Sequence, residues 1–152
     1  GIIGGGNVSL FDAIQKRGFT RIICVHHEQA AAMAATYYWR TSGCLAVVLC
    51  TTGAGSSNTL TGVLAAYMDA IPLLVISGNE ASTTLNAKTR ILGVQGYRSD
   101  LVASPMCKMT ITIKNGERIA GTLEAAMTTA MNKRCGPVWV DIPKDIANAQ
   151  LG

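Results

Sequence analysis

The densest cluster of ionisable side chains in this sequence is His26-His27-Glu28. A zinc peptidase would need H-E-x-x-H on a helix, but Ala31 stands where the second ligand belongs. Neighbouring histidines on a strand point to opposite faces, which disfavours their holding one ion. Glu28 is the more informative member. As a first-turn acid it would be favoured by the helix dipole, a purely structural role. Yet the residues after it, Gln29-Ala30-Ala31-Ala32-Met33-Ala34-Ala35, carry no charge and are small on nearly every face, so another helix can approach closely. A carboxylate at the head of a deeply packed helix is costly unless it has a specific task.

Two glycine loops are the other candidates. Gly4-Gly5-Gly6-Asn7-Val8-Ser9 is one residue short of the dinucleotide fingerprint, and Glu28 lies about where a ribose-binding acid is wanted. Ser9 replaces the third glycine, and a tight turn alone would also account for the loop. Thr51-Thr52-Gly53-Ala54-Gly55-Ser56-Ser57-Asn58 lacks the Walker lysine, which excludes nucleoside triphosphate chemistry of that type; its amides could hold an anion at a helix start. No G-x-S-x-G or S-x-x-K pattern supports a serine hydrolase. Cys24, Cys44, Cys50, Cys107 and Cys135 form no C-x-x-C pair, so a disulfide framework or zinc site is disfavoured, and a reducing cytoplasm is expected.

The elements that must position these residues follow from the patterning. Short β-branched runs alternate with longer helical segments over 152 residues, a length suited to one domain. Strands are expected at Ile2–Ile3, Arg21–His26, Leu45–Cys50, Leu73–Ser77, Met109–Ile113 and Val138–Ile142. Helices are expected from Asn7 to Lys16 with Asn7 as cap and Gly18 as stop, over Glu28–Thr41 with Gly43 as stop, from Ser56 or Ser57 to Asp69, and over Glu117–Asn132. Gly78 to Asp100 reads as a polar connection. The fold class is α/β, a three-layer αβα arrangement around a doubly wound six-stranded parallel sheet. Ligands in such sheets sit at the carboxyl ends of the strands, which selects Gly4–Asn7, His26–Glu28, Thr51–Asn58 and Ser77–Glu80.

Only 14% of residues are charged, against about 25% in typical soluble domains, which points to a surface that faces another domain or subunit. The net charge of +4 comes from scattered basic residues, so there is no nucleic-acid footprint. No apolar run approaches a membrane span, and no signal peptide is evident. The chain opens on Gly1-Ile2-Ile3-Gly4 without a methionine, and the expectation is one domain, residues 1–152, from a longer protein.

Gly4-Gly5-Gly6-Asn7 with Leu10-Phe11-Asp12-Ala13, then His27-Glu28-Gln29-Ala30-Ala31-Ala32-Met33-Ala34, form an ordered series with later blocks. These are Thr52-Gly53-Ala54-Gly55-Ser56-Ser57-Asn58-Thr59, Thr61-Gly62, Ala66-Tyr67-Met68-Asp69, Ile71-Pro72-Leu73-Leu74-Val75-Ile76-Ser77-Gly78 and Gly136-Pro137-Val138-Trp139-Val140-Asp141-Ile142-Pro143-Lys144-Asp145. In that order and spacing the chain resembles, over nearly its whole length, the N-terminal pyrimidine-binding (PYR) domain of thiamine diphosphate enzymes of the acetolactate synthase and 2-oxoacid decarboxylase group.

The resemblance implies that Glu28 hydrogen-bonds the aminopyrimidine N1′ of thiamine diphosphate. It would favour the imino tautomer, whose nitrogen takes the proton from thiazolium C2 before attack on a 2-oxo acid and loss of CO₂. The product would be released as an aldehyde or joined to a second carbonyl compound. Gly4 and Gly5 match the loop that approaches the pyrimidine; Gly53, Ala54 and Asn58 match the loop beside it; Gln95 matches an active-site glutamine of acetolactate synthases. His27 would orient the glutamate, face substrate, or simply be structural. Ile3, Ala54 and Gly96-Tyr97-Arg98 depart from the family pattern, which bears on the substrate rather than on the cofactor. No Gly-Asp-Gly…Asn motif is present, so the resemblance implies that Mg²⁺ and the diphosphate are held by another domain or subunit, in a homodimer or tetramer of the full protein. No metal ligand is assigned here, and the isolated chain is not expected to be active. Two alternatives stand beside this reading: an NAD-binding Rossmann domain of an oxidoreductase, and a catalytically inactive regulatory subunit of the same fold.

Overall fold

The computed structural model describes residues 1–86 and 88–149. Four parallel strands form one sheet: β1 (Val47–Cys50), β2 (Leu73–Asn79), β3 (Met109–Thr112) and β4 (Pro137–Pro143), in the order β1-β2-β4-β3. The central pair, β2 and β4, is covered on both faces, which is why Leu73-Leu74-Val75-Ile76 and Val138-Trp139-Val140 read as continuous apolar runs rather than alternations.

Side-chain alternation still divides the core in two. On one face Val48, Leu73, Val75 and Trp139 pack against helices α2 (Glu28–Ser42) and, after the short α3 (Ala54–Ser57), α4 (Leu60–Met68). On the other, Leu74, Val138, Val140 and Ile142 meet α7 (Ile119–Met131), with Leu10 of α1 (Val8–Arg17) at the margin. The alanines of α2 serve close packing: a Cβ on Gly62 of α4 would fall 2.5 Å from the Ala32 Cβ. Gly18 and Gly43 end α1 and α2 in the left-handed conformation, as their positions predict. The chain between β2 and β3 contains α5 (Ser82–Leu85), a turn closed by a Leu92–Gly96 bridge, and α6 (Ser99–Ala103); α8 (Lys144–Ala147) follows β4.

The three-layer α/β architecture is the expected one, but the sheet has four strands among the described residues rather than six. Residues 1–3 run beside β1, and residues 21–26 run beside residues 1–3, without forming a ladder. Ile2 N–H donates to the Leu49 carbonyl and Val25 N–H to the Gly1 carbonyl, each at 3.2 Å. The outer segment has little to hold it flat, since Ile23 is 63% exposed and Arg21, Cys24 and His26 are also exposed. Strand propensity is expressed only where side chains find neighbours to pack on.

Two helix boundaries differ from expectation for a common reason. Asn7 precedes α1 but its side chain makes no cap; it turns back, accepting from Gly4 N–H (2.8 Å) and donating to the Ile2 carbonyl (3.0 Å). The helix expected from Ser56 or Ser57 to Asp69 breaks at residues 58–59, where Ser56 and Thr59 hydroxyls bond the Gly53 and Ser56 carbonyls. Short polar side chains compete for nearby backbone groups and so favour turns over helix interiors. None of the helices among the described residues is long and apolar enough to cross a membrane.

Candidate functional site

The chemistry-bearing residues collect where the strands end. β1 runs into the second glycine loop, β2 into Asn79-Glu80, and the first glycine loop lies beside both. Thr51 joins the two loops. Its Oγ1 accepts from Gly6 N–H (3.1 Å), and a Cβ placed on either Gly4 or Gly55 would come within 2.6 Å of its side chain. At Gly78 a Cβ would sit 2.0 Å from the Gly6 carbonyl oxygen, so the first loop rests directly on the backbone at the end of β2. These glycines are there for close approach.

Glu28 opens α2 and is buried, 7% exposed. The α2 cap is His27, whose Nδ1 accepts from Gln29 N–H (3.2 Å). One Glu28 oxygen, Oε2, accepts from Asn58 Nδ2 at 3.0 Å, across thirty residues of chain. The other, Oε1, faces Gly55, where a Cβ would lie 3.1 Å away. Among the described residues Glu28 forms no ion pair and receives no other side-chain hydrogen bond. No fully enclosed side-chain polar atom among them lacks a partner, so Oε1, which has none, is not fully enclosed. A buried carboxylate with no cation and one bonded oxygen is incompletely satisfied, and one further hydrogen-bond partner would complete it.

The remaining candidate residues fall at different depths. Gln95 packs on the second loop, its Cγ and Cδ 2.9 Å from where a Gly53 Cβ would be. Ala54 is exposed at the start of α3, and Gly5 has open space beside its Cα. His27 is exposed at the rim, its Nδ1 used by the cap. Thus Glu28 and Asn58 are in contact, and Gly4 reaches them through Thr51 and Gly55; His27 and Gly5 lie outside that chain of contacts.

Several residues the sequence reading passed over complete the site. Thr51 and Gly55 carry no local signal beyond their place in a glycine loop. Beneath the loops lies a buried polar network. Asp141, fully buried in β4, accepts from Trp139 Nε1 (2.9 Å), Ser99 Oγ (2.5 Å) and Asn79 Nδ2 (3.3 Å). Burial pushes its carboxyl above the usual range, against the pull of those three donors. Asn79 also donates to the Tyr97 carbonyl (3.1 Å) and accepts from Thr52 Oγ1 (3.0 Å). The Tyr97 hydroxyl pairs with Ser56 Oγ at 2.9 Å, and burial raises its pKa. A lone aspartate inside Val138-Trp139-Val140-Asp141-Ile142 was the available signal, because a charge in a doubly covered strand needs partners. Among the described residues no cluster of His, Cys, Asp and Glu is arranged to hold a metal ion.

The family described as "Thiamine pyrophosphate enzyme, N-terminal TPP binding domain" matches residues 1–102. The chain is 38% identical over 151 residues to the acetolactate synthase large subunit of Haemophilus influenzae, a match covering 97% of this chain and 25% of that protein. It is likewise 38% identical over 151 residues to the acetolactate synthase isozyme 3 large subunit of Escherichia coli, with the same coverage. A probable acetolactate synthase large subunit from Methanocaldococcus jannaschii is 32% identical over 154 residues, 99% of this chain and 25% of that protein. The chain therefore spans about a quarter of the length of the curated relatives it matches. With a family match over residues 1–102 and relatives 38% identical across 97% of its length, the chain belongs to the thiamine pyrophosphate enzymes, in the family of their N-terminal TPP binding domain.

Proposed function

We propose that this chain is the pyrimidine-binding domain of a thiamine diphosphate-dependent enzyme that decarboxylates a 2-oxo acid and, as in acetolactate synthase, joins the product to a second carbonyl compound. The observation that carries the reading is the Glu28 carboxylate, buried, held on one oxygen by Asn58 and open on the other. Residues 1–152 act as one domain of a longer enzyme; a diphosphate-binding domain or subunit supplies Mg²⁺, and the whole assembles as a homodimer or tetramer. The low charge of the surface supports burial against such partners. Five unpaired cysteines support a cytoplasmic enzyme.

When bound, thiamine diphosphate supplies the carbanion chemistry that amino-acid side chains lack. The chain's own residues bind and orient it. Glu28 Oε1 would hydrogen-bond the pyrimidine N1′, and Asn58, bonded to Oε2, orients the carboxylate for that contact. Gly4 and Gly55 let the two loops close on Thr51, and Gly5, Gly53 and Ala54 would lie beside the pyrimidine. Gln95, packed against the second loop, would face the 2-oxo acid, with His27 nearby.

The test uses the complete enzyme with thiamine diphosphate and Mg²⁺, following CO₂ release from pyruvate and other 2-oxo acids. Wild type should turn over, and Glu28→Gln should bind cofactor while losing activity. An enzyme stabilised by NAD and indifferent to thiamine diphosphate would overturn the proposal.

A further inference from the structure

The turn that carries Gln95 is built around one carboxylate from another element. Glu80 leaves β2 with its side chain 8% exposed. Its Oε1 accepts from Val94 N–H at 3.3 Å, and its Oε2 accepts from Lys144 Nζ, at the start of α8, at 2.7 Å. Two glycines make room for it. A Cβ on Gly93, whose φ is +66°, would lie 2.6 Å from the Glu80 Cδ, and one on Gly96 would lie 2.6 Å from its Cγ. The glutamate thus fills the inside of the Leu92–Gly96 turn in place of a side chain from the turn itself. The closing bonds are Gly96 N–H to the Leu92 carbonyl (2.8 Å) and Asn79 Nδ2 to the Tyr97 carbonyl (3.1 Å). The outer side of the turn presses Gln95 onto Gly53.

We propose that Glu80, locked by Lys144, is a positioning residue that holds the Leu92–Gly96 turn so that Gln95 rests on Gly53 and presents its amide to the 2-oxo acid. A turn with two glycines has many accessible shapes, and ordering it needs a strong local partner. Charge-assisted bonds from an ammonium and a backbone amide supply one. The Lys144 hydrogen bond holds the Glu80 carboxyl below the usual carboxylate range, with the Val94 and Gln95 amides acting in the same direction, so the clamp is ionised at neutral pH. The inference rests on the function proposed above for its substrate, but not for its structural half.

The experiment has two arms on the complete enzyme. In the first, without cofactor, hydrogen exchange is followed at residues 92–97 in wild type, Glu80→Ala, Glu80→Gln and Lys144→Met. Glu80→Ala should speed exchange at Val94 and Gln95 by about tenfold or more. Glu80→Gln keeps an acceptor for Val94 but loses the ion pair, and should fall between it and wild type. Unchanged protection in both Glu80→Gln and Lys144→Met overturns the clamp, even if Glu80→Ala fails to fold. In the second arm, with thiamine diphosphate and Mg²⁺, Glu80→Gln should raise KM for the 2-oxo acid by about fivefold or more while cofactor affinity stays within about twofold. Combined with Gln95→Ala it should add nothing, because both changes remove one function. Additive losses, or a loss confined to cofactor affinity, overturn the positioning role. If wild type ignores thiamine diphosphate, the proposed function fails, while the exchange arm still decides the clamp.

Discussion

The two glycine loops sit side by side on the same threonine, yet they are held in different ways. The first, Gly4–Asn7, is closed by its own asparagine: Asn7 is fully buried and bonds Gly4 and Ile2, residues three and five positions back. Its outer surface simply rests on the backbone at Gly78. The second, Thr51–Asn58, takes its surroundings from far away in sequence. Asn58 meets Glu28, Ser56 meets Tyr97, and Gly53 lies under Gln95. The first loop is a rigid wall; the second is an assembly point, and its shape depends on α2 and on the 92–97 turn. Catalytic sensitivity should therefore concentrate in the second loop and its partners, and stability in the first.

The largest expected effect is at Glu28. Glu28→Gln keeps an amide for Asn58 to meet but removes the shared proton, and kcat of the complete enzyme should fall about 10²- to 10⁴-fold, the range for loss of general acid–base function. Steady-state CO₂ release, with cofactor binding measured separately, checks this. A fall in cofactor affinity alone would place Glu28 on the wall side of the comparison.

Next is Gly78→Ala, whose Cβ would sit 2.0 Å from a backbone oxygen that cannot rotate aside. It should destabilise the protein by about 3 kcal/mol, at the upper end for overpacking, as measured by denaturant unfolding. Gly5→Ala, with open space at the same loop, should leave stability nearly unchanged.

A smaller effect separates the two asparagines. Asn7→Ala strands Gly4 N–H and the Ile2 carbonyl and should cost about 1–3 kcal/mol of stability. Asn58 is only partly buried, so Asn58→Ala should cost less stability but more activity, because Glu28 is freed to rotate. Unfolding and turnover measured on both variants give a crossed pattern if the comparison holds and parallel losses if it does not.

The smallest effect is a pH window at the edge of the second loop. Glu80 is held below its ordinary range by Lys144, so between its folded and unfolded pKa values the unfolded chain binds more protons. The stability it contributes is present above the ordinary carboxylate range and is lost as pH falls through the depressed value. Lys144→Met should lower thermal stability at neutral pH and flatten that acid limb, so that the two proteins converge at low pH. An acid limb identical in the variant would remove the ion pair as its cause.

Much of this was legible in the chain before folding. The glycine stops at Gly18 and Gly43, the apolar runs of β2 and β4, the alanine face of α2 and the isolated acid at its head follow from local chemistry, and the ordered blocks carried the family resemblance. Where expectation and structure part, a nonlocal partner decides. Residues 21–26 have the composition of a strand but are covered only in part, with Ile23 63% exposed, and the helix after Gly53 breaks where Ser56 and Thr59 hydroxyls take backbone carbonyls.

What the sequence determined by itself was which residue types stand at the strand ends, because periodicity, caps and turn residues act over a few positions. That Glu28 keeps one oxygen bonded and one open was decided by tertiary structure alone. So was the joining of two glycine loops through Thr51, and so was the threading of Glu80 through a turn fourteen residues further on. Hydrogen bonds of that span are set by how the layers pack around the sheet, and no local rule specifies which donor a buried carboxylate will find.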